Sequence, residues 1–145
     1  MSLGAFGMIT LLSHEGYEAD TLDAFKGINQ RSPWLAFMML LFMFSMAGVP
    51  PTAGFYAKFS VLEAIVNSGH IELAVVAVIL SLIGAYYYLR IVKLMYFDEP
   101  KLESAIPEQS RAMRVLMSAN GLALLVLGLL PQPLMNLCFA AIKNL

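Results

Sequence analysis

Charge is scarce in this sequence: Asp, Glu, Lys and Arg make up 13% of its 145 residues, against about 25% in an ordinary soluble domain. Cysteine is scarcer still, with Cys138 alone, which excludes an internal disulfide and any zinc or iron–sulfur centre built on cysteine ligands. The two histidines, His14 and His70, are far apart in sequence. Glycine-rich fingerprints for a dinucleotide or phosphate are missing, since Gly4-Ala5-Phe6-Gly7 is too short and has no βαβ context. A net charge of −1 supplies no basic surface for nucleic acid. Residues 1–12 also lack the basic start and small-residue cleavage site of a signal peptide.

What the chain does have is apolar surface. Hydrophobic residues make up 59% and the mean hydropathy is +0.73, more than a soluble core can cover, so the lipid bilayer is the expected solvent. The expected fold is an all-α, polytopic membrane protein.

Met1 to Leu12 is apolar from the first residue. At about 1.5 Å per residue it covers roughly half of a ~30 Å hydrocarbon core. It reads as the end of a truncated helix, with Met1 expected to be an internal methionine of a longer protein. The polar stretch 13–33 follows. Asp20-Thr21-Leu22-Asp23 is a weak capping box. Leu22 and Phe25 share a face, and Gly27 ends a short helix expected at the membrane surface. Ser32-Pro33 is a helix start signal.

From Trp34 to Ser68 the sequence is apolar but cut by Gly48-Val49-Pro50-Pro51-Thr52-Ala53-Gly54. Neither 34–47 nor 55–68 reaches the ~17–25 residues of a spanning helix, so two short spans, a re-entrant hairpin and one broken helix are the options. Residues 71–97 and 112–130 are full spans. Between them lies a polar loop, 98–111, with Pro100 and Pro107. Pro131-Gln132-Pro133 stops the last span, and Leu134, Leu137, Ala141 and Leu145 give the tail 134–145 the spacing of an interfacial helix.

The positive charges choose among the options. If 34–68 crosses once, Lys26, Arg31, Arg90, Lys93, Lys101, Arg111 and Arg114 share one side and Lys143 stands alone opposite. If it turns back, the split becomes three against five. The positive-inside rule favours seven to one. The expectation is therefore a partial span plus three full transmembrane helices, one broken mid-membrane at Gly48–Gly54. Loops 13–33 and 98–111 would face the cytoplasm, and residues 69–70 and the C-terminus the other side. One membrane domain covers 1–145.

Pro50 and Pro51 have no N–H, so the carbonyls of Met46 and Ala47 lose their helical partners. Unpaired backbone at that depth is tolerated only where protein or water satisfies it, and discontinuous helices mark the transport sites of many carriers. The same proline pair also suits a plain packing kink. Lys58 lies one turn into the second half. A charged lysine at mid-bilayer costs about 2.5–3.5 kcal/mol on insertion scales. Lysines near helix ends avoid that cost by reaching for the interface, the reading given to Arg90 and Lys93. Lys58 lies about 15 Å from the end of its stretch, beyond comfortable reach. A lysine so held can take up and release a proton as its surroundings change.

Other residues carry less. Glu63 is about 140° around the helix from Lys58 and is a candidate for an exit path of a proton. His70 and Glu72 fall at the membrane boundary. Tyr86, Tyr87, Tyr88 and Trp34 read as an aromatic belt and packing, the methionines as apolar filler, and Asn120 and Gly121 as helix packing.

The run Ser45-Met46-Ala47-Gly48-Val49-Pro50-Pro51-Thr52-Ala53-Gly54-Phe55-Tyr56-Ala57-Lys58-Phe59 resembles the signature of the antiporter-like membrane subunits of respiratory complex I, relatives of multi-subunit sodium/proton antiporters. Leu3-Gly4-Ala5-Phe6-Gly7, Gly84-Ala85-Tyr86-Tyr87-Tyr88-Leu89-Arg90 and Gly128-Leu129-Leu130-Pro131-Gln132-Pro133-Leu134 narrow it to the subunit N branch (subunit 2 in mitochondria and plastids). The likeness covers essentially the whole chain, as the last quarter to third of a fourteen-helix subunit. It makes residues 1–12 the end of helix 11, the broken span helix 12, and the rest helices 13 and 14.

Lys58 then corresponds to a helix-12 lysine in a line of buried charges and water that conducts protons. The M branch generally has glutamate there, and the L branch continues into a lateral helix. The family's helix-5 glutamate and helix-7 and helix-8 lysines have no counterpart in this chain, which would hold one side of a pathway and not pump alone. The resemblance implies proton translocation coupled to NADH–quinone electron transfer. NADH, FMN, iron–sulfur clusters and quinone would belong to partner subunits, with no cofactor or metal in this chain. The expected partners are other membrane subunits of complex I and the lipid bilayer. The expected place is a bacterial plasma membrane, or an organelle membrane. A cation/proton antiporter or membrane hydrogenase subunit of the same family stays open, as does a structural membrane scaffold.

Overall fold

The double proline divides the longest apolar stretch into two separate helices. The computed structural model describes residues 1–13, 21–99 and 110–143, and among them all regular structure is helical. In chain order these are α1 (Ser2–Leu12), a 3-10 turn (Leu22–Phe25), α2 (Ile28–Arg31), α3 (Pro33–Ala47), α4 (Ala53–Asn67), α5 (Ile71–Phe97), α6 (Arg111–Leu129) and α7 (Gln132–Lys143). Two of them, α5 and α6, are long and apolar enough to cross a membrane, while α1 and α3 are shorter apolar helices.

The sequence boundaries shift by small amounts. The last span begins and ends one residue earlier than 112–130, and α7 starts at Gln132 because Pro133 fits the first turn of a helix, where no N–H is required. At the weak capping box, Thr21 is the N-cap residue of the turn and makes no side-chain cap bond, and Asp23 pairs with Lys26. Asp20 lies outside the described residues, as do His14, Lys101, Pro107 and the last two residues. Leu22 and Phe25 part company, for Phe25 is buried and Leu22 is exposed. Gly27 does end the turn, at a φ of 64°.

Packing along α5 fixes the course of α3 and α4. The N–H of Gly27, just before α2, donates to the carbonyl of Leu94 at 3.1 Å, which ties the polar segment to the C-terminal end of α5. The core of α3, with Leu35, Met39 and Phe42, belongs to one cluster with Met95, Tyr88, Ile91 and Val92 of that same half of α5. The other half of α5 meets α4: Leu62 and Val66 share a groove with Ile71, Ala74, Val75 and Val78. Both helices run antiparallel to one straight partner, so α4 continues in the direction of α3. A hairpin would have returned α4 to the end of α5 that α3 already occupies.

The remaining helices close one side. Phe42 of α3 packs on α1 at Gly4, and Met38 and Leu41 pack on α6 at Gly121. At the polar end, Trp34 donates its Nε1 hydrogen to Ser118 Oγ at 3.2 Å and carries the Arg114 guanidinium 5.3 Å from its ring centre. That cation–π contact adds to the packing role expected of Trp34. Met8, Met38, Met39, Met43, Met95 and Met117 are all buried, where flexible thioethers fill gaps between helices. The opposite side, the outer faces of α4 and α5, is left open and apolar, with Phe59, Val61, Ile79, Leu82 and Tyr86 exposed.

Candidate functional site: the helix break and Lys58

The break starts as an ordinary helix end. Gly48 takes a left-handed conformation at φ 82° and donates to Ser45 O at 3.2 Å, while Val49 N–H reaches Phe44 O at 2.9 Å. That pair of bonds is the glycine-dependent closure of a helix C-terminus, and it turns the chain so that Pro50 and Pro51 follow outside the helix. Thr52, 2% exposed, then bonds its hydroxyl to Val49 O at 2.8 Å, and its own carbonyl accepts from Phe55 N at 3.1 Å as α4 begins.

Two glycines let the break sink into the bundle. At Gly54 a Cβ would overlap the Ser45 carbonyl, and at Gly128 it would overlap the Pro51 carbonyl. The α4 N-terminus therefore lies directly on the last turn of α3, and α6 lies directly on the prolines. Ser45, fully buried, accepts from Gly54 N–H on its Oγ at 3.3 Å, which satisfies one of the free donors of a helix start.

Lys58 reaches back into this gap. Its Nζ donates to the carbonyl of Ala47 at 2.9 Å and to Ser81 Oγ of α5 at 2.9 Å. The side chain crosses Gly48 so closely that a Cβ there would stand 2.8 Å from Lys58 Cδ. A carbonyl left free at a helix C-terminus carries partial negative charge, so the ammonium is held by the broken end of α3.

The surroundings are apolar and partly open. A cleft of about 200 Å³ is lined by Ala47, Gly48, Phe55, Phe59, Leu62, Leu82 and others, together with Lys58 and Ser81. A second, of about 310 Å³, opens on the other side of the same pair and is lined by Ala57, Val61, Leu62 and Ala77 as well. Lys58 is half-buried, and among the described residues no charged side chain is fully buried. The line of buried charges that the resemblance implies is thus not seen among the described residues. Glu63 is exposed and lines neither cleft. His70 and Glu72 line an open recess where α4 turns into α5. No group of three metal-ligating side chains converges among the described residues.

The sequence reading singled out Gly48, Pro50, Pro51, Gly54 and Lys58, and the structure brings them together at one point. It overlooked Ser45, Ser81 and Gly128. For Ser81 a signal existed, since it is the only polar side chain between Glu72 and Tyr86. Ser45 and Gly128 stood at the ends of two motifs that carry the resemblance, but nothing gave them a role of their own, for small residues are common in any packed membrane helix.

An all-helical bundle with a proline-broken helix and a lysine donating into the break defines an antiporter-like membrane subunit. Residues 1–84 match the family described as NADH:quinone oxidoreductase/Mrp antiporter, transmembrane, and the chain belongs to that family. It is 65% identical over 142 residues to NADH-quinone oxidoreductase subunit N of Thiobacillus denitrificans, covering 98% of this chain and 29% of that protein. It is 60% identical to subunit N of Nitrosomonas europaea, over 99% of this chain and 30% of the relative. Among solved structures it resembles a chain of respiratory complex I from Thermus thermophilus with bound aureothin, at a TM-score of 0.69 and 33% identity. That match covers 76% of this chain and 25% of that one. The chain spans about 30% of the length of the curated relatives it matches.

Proposed function

We propose that this chain is part of a proton-translocating membrane subunit of NADH–quinone oxidoreductase, of the subunit N type, in which Lys58 takes up and releases the proton. The observation that carries this is the Lys58 ammonium bonded to the carbonyl of Ala47 at 2.9 Å, in a gap between two helix halves. Both clefts beside it are otherwise lined by apolar groups and Ser81, so its proton has no competing titratable neighbour along them. The relatives, NADH-quinone oxidoreductase subunits N, support the coupling to NADH–quinone chemistry. They favour it over a cation/proton antiporter, which the family's description also includes.

In this reading α1 is the end of a span. The α3–α4 pair is one broken span, α5 and α6 are full spans, and α7 lies at the interface. The Gly27–Leu94 and Trp34–Arg114 contacts put the basic ends of α3, α5 and α6 together, which supports reading that end as the cytoplasmic side of a bacterial plasma membrane. Partner subunits hold NADH, FMN, iron–sulfur clusters and quinone. The open apolar face of α4 and α5 meets lipid or other protein. Glu63, on the exposed side of α4, is a candidate for the onward path.

The test is Lys58→Ala in the full-length subunit within its assembled complex. NADH-driven proton uptake by inverted membrane vesicles, normalised to assembled complex, should fall severalfold. Assembly should hold, because alanine favours a helix and removes a charge that a membrane disfavours. Wild-type uptake would relegate Lys58 to a structural charge.

A further inference from the structure

Two helix stripes of identical spacing meet at Lys58. On α4 the stripe is Phe55, Lys58, Phe59 and Leu62; on α5 it is Val78, Ser81, Leu82 and Ala85, and all eight line one cleft. Positions i, i+3, i+4 and i+7 form one face of a helix, so each stripe offers a single polar group, at its second position, to an otherwise apolar seam. Those two groups meet, with Nζ 2.9 Å from Ser81 Oγ. The other bond from Nζ goes to Ala47 O, also at 2.9 Å.

We infer that Ser81 is a positioning residue for Lys58, completing a cradle of two acceptors that fits the amine in both of its protonation states. The inference rests on the reading of Lys58 as the proton-carrying group. An ammonium has three N–H donors. Two point at Ala47 O and Ser81 Oγ, which leaves one to transfer. When that N–H bond breaks, the proton forms an O–H bond on a water molecule. The electron pair stays on nitrogen as the lone pair of a neutral amine. The amine still has two N–H groups, and the same two acceptors hold them. Nζ therefore keeps its position through the transfer, and the lone pair is left aimed where the proton departed. Without Ser81 one N–H loses its acceptor, because every other side chain along both clefts is apolar. The amine is then free to turn about its terminal bond. Ser81 also belongs to α5, so any shift of α5 against the break changes the cradle.

The Ser81→Thr and Ser81→Val pair tests this in the full-length subunit in its complex, since the two side chains have nearly the same shape and differ by a hydroxyl. The assay is NADH-driven proton uptake per NADH oxidised. Ser81→Thr should keep at least half of the wild-type ratio. Ser81→Val should lose about threefold to tenfold, the range of one ordinary intramolecular hydrogen bond. Ser81→Ala, which also favours the helix, should match Ser81→Val and stands in for it if valine disturbs assembly. In a Lys58→Ala background, adding Ser81→Val or Ser81→Ala should leave the residual uptake unchanged, as it must when the two residues act as one unit. Equal ratios for the Thr and Val variants would overturn the inference, as would a loss of the same factor in the Lys58→Ala background. An impaired Lys58→Ala beside an unimpaired Ser81→Val sinks Ser81 alone. An unimpaired Lys58→Ala sinks the functional reading as well.

Discussion

Gly54 rests against the carbonyl of Ser45, closely enough that a methyl group on its Cα would overlap the oxygen. This one contact makes α4 begin on the last turn of α3, and so keeps the Ala47 carbonyl within reach of a lysine one turn further along.

Gly54→Ala should therefore lower the amount of assembled protein. The helices must separate to admit the methyl group, at a cost of about 1–3 kcal/mol for an overpacked contact. Gly128→Ala, which meets the Pro51 carbonyl, should do the same. Gly84→Ala meets nothing within 4 Å and should be neutral or mildly stabilising, since alanine favours a helix interior. Membrane-fraction yield and the thermal midpoint of the solubilised complex measure all three. Equal behaviour of Gly84→Ala and Gly54→Ala would contradict the close approach.

Gly48→Ala should damage transport more than assembly. A non-glycine residue in the left-handed region costs about 1–2 kcal/mol, tolerable in a large assembly. The added Cβ would stand 2.8 Å from Lys58 Cδ and push the side chain away from Ala47. The expected result is near-normal complex content with proton uptake reduced severalfold; reduced content with unchanged uptake per complex would count against it.

Lys58→Arg and Lys58→Glu separate charge from titration. Arginine keeps a cation beside the Ala47 carbonyl, but a guanidinium stays charged throughout the working pH range and does not readily release its proton. It should restore less than half of wild-type uptake. Glutamate reverses the charge yet keeps a titratable group, and should retain more uptake than Lys58→Ala. Full activity of the arginine variant would mean that a fixed charge is enough.

The two ends of α5 should label from opposite sides of the membrane. Ser68 lies at the turn into α5 and Glu99 just beyond its other end. With Cys138 replaced by serine, Ser68→Cys and Glu99→Cys should react with an impermeant maleimide from opposite faces of oriented vesicles. Reaction of both from one face would mean that α5 does not cross.

Helix positions were largely legible in the sequence, because lipid demands runs of apolar residues of a fixed length and prolines interrupt them. Residues 71–97 could be bounded without any tertiary information: polar or proline-rich segments flank a run with nothing else to stop it. The direction of α4 relative to α3 came from the packing of both along α5, while the charge count bears only on how such a pair would sit in a membrane. The pairing of Asp23 with Lys26 was not legible, since local pattern does not say which partner an exposed acid takes.

By itself the sequence determined that this chain belongs in a membrane, where its helices stop, and that Lys58 lies one turn beyond a proline break. Composition and covalent geometry suffice for those, since an apolar run needs lipid and a proline lacks an N–H wherever it lies. Only the tertiary structure decided what Lys58 bonds to. Ala47 is eleven residues away and Ser81 twenty-three, and the two meet only because Gly54 and Gly128 let backbones approach closely and α5 runs antiparallel across the break. Those distances depend on how three helices pack, and no periodicity along one chain encodes the register of another helix beside it.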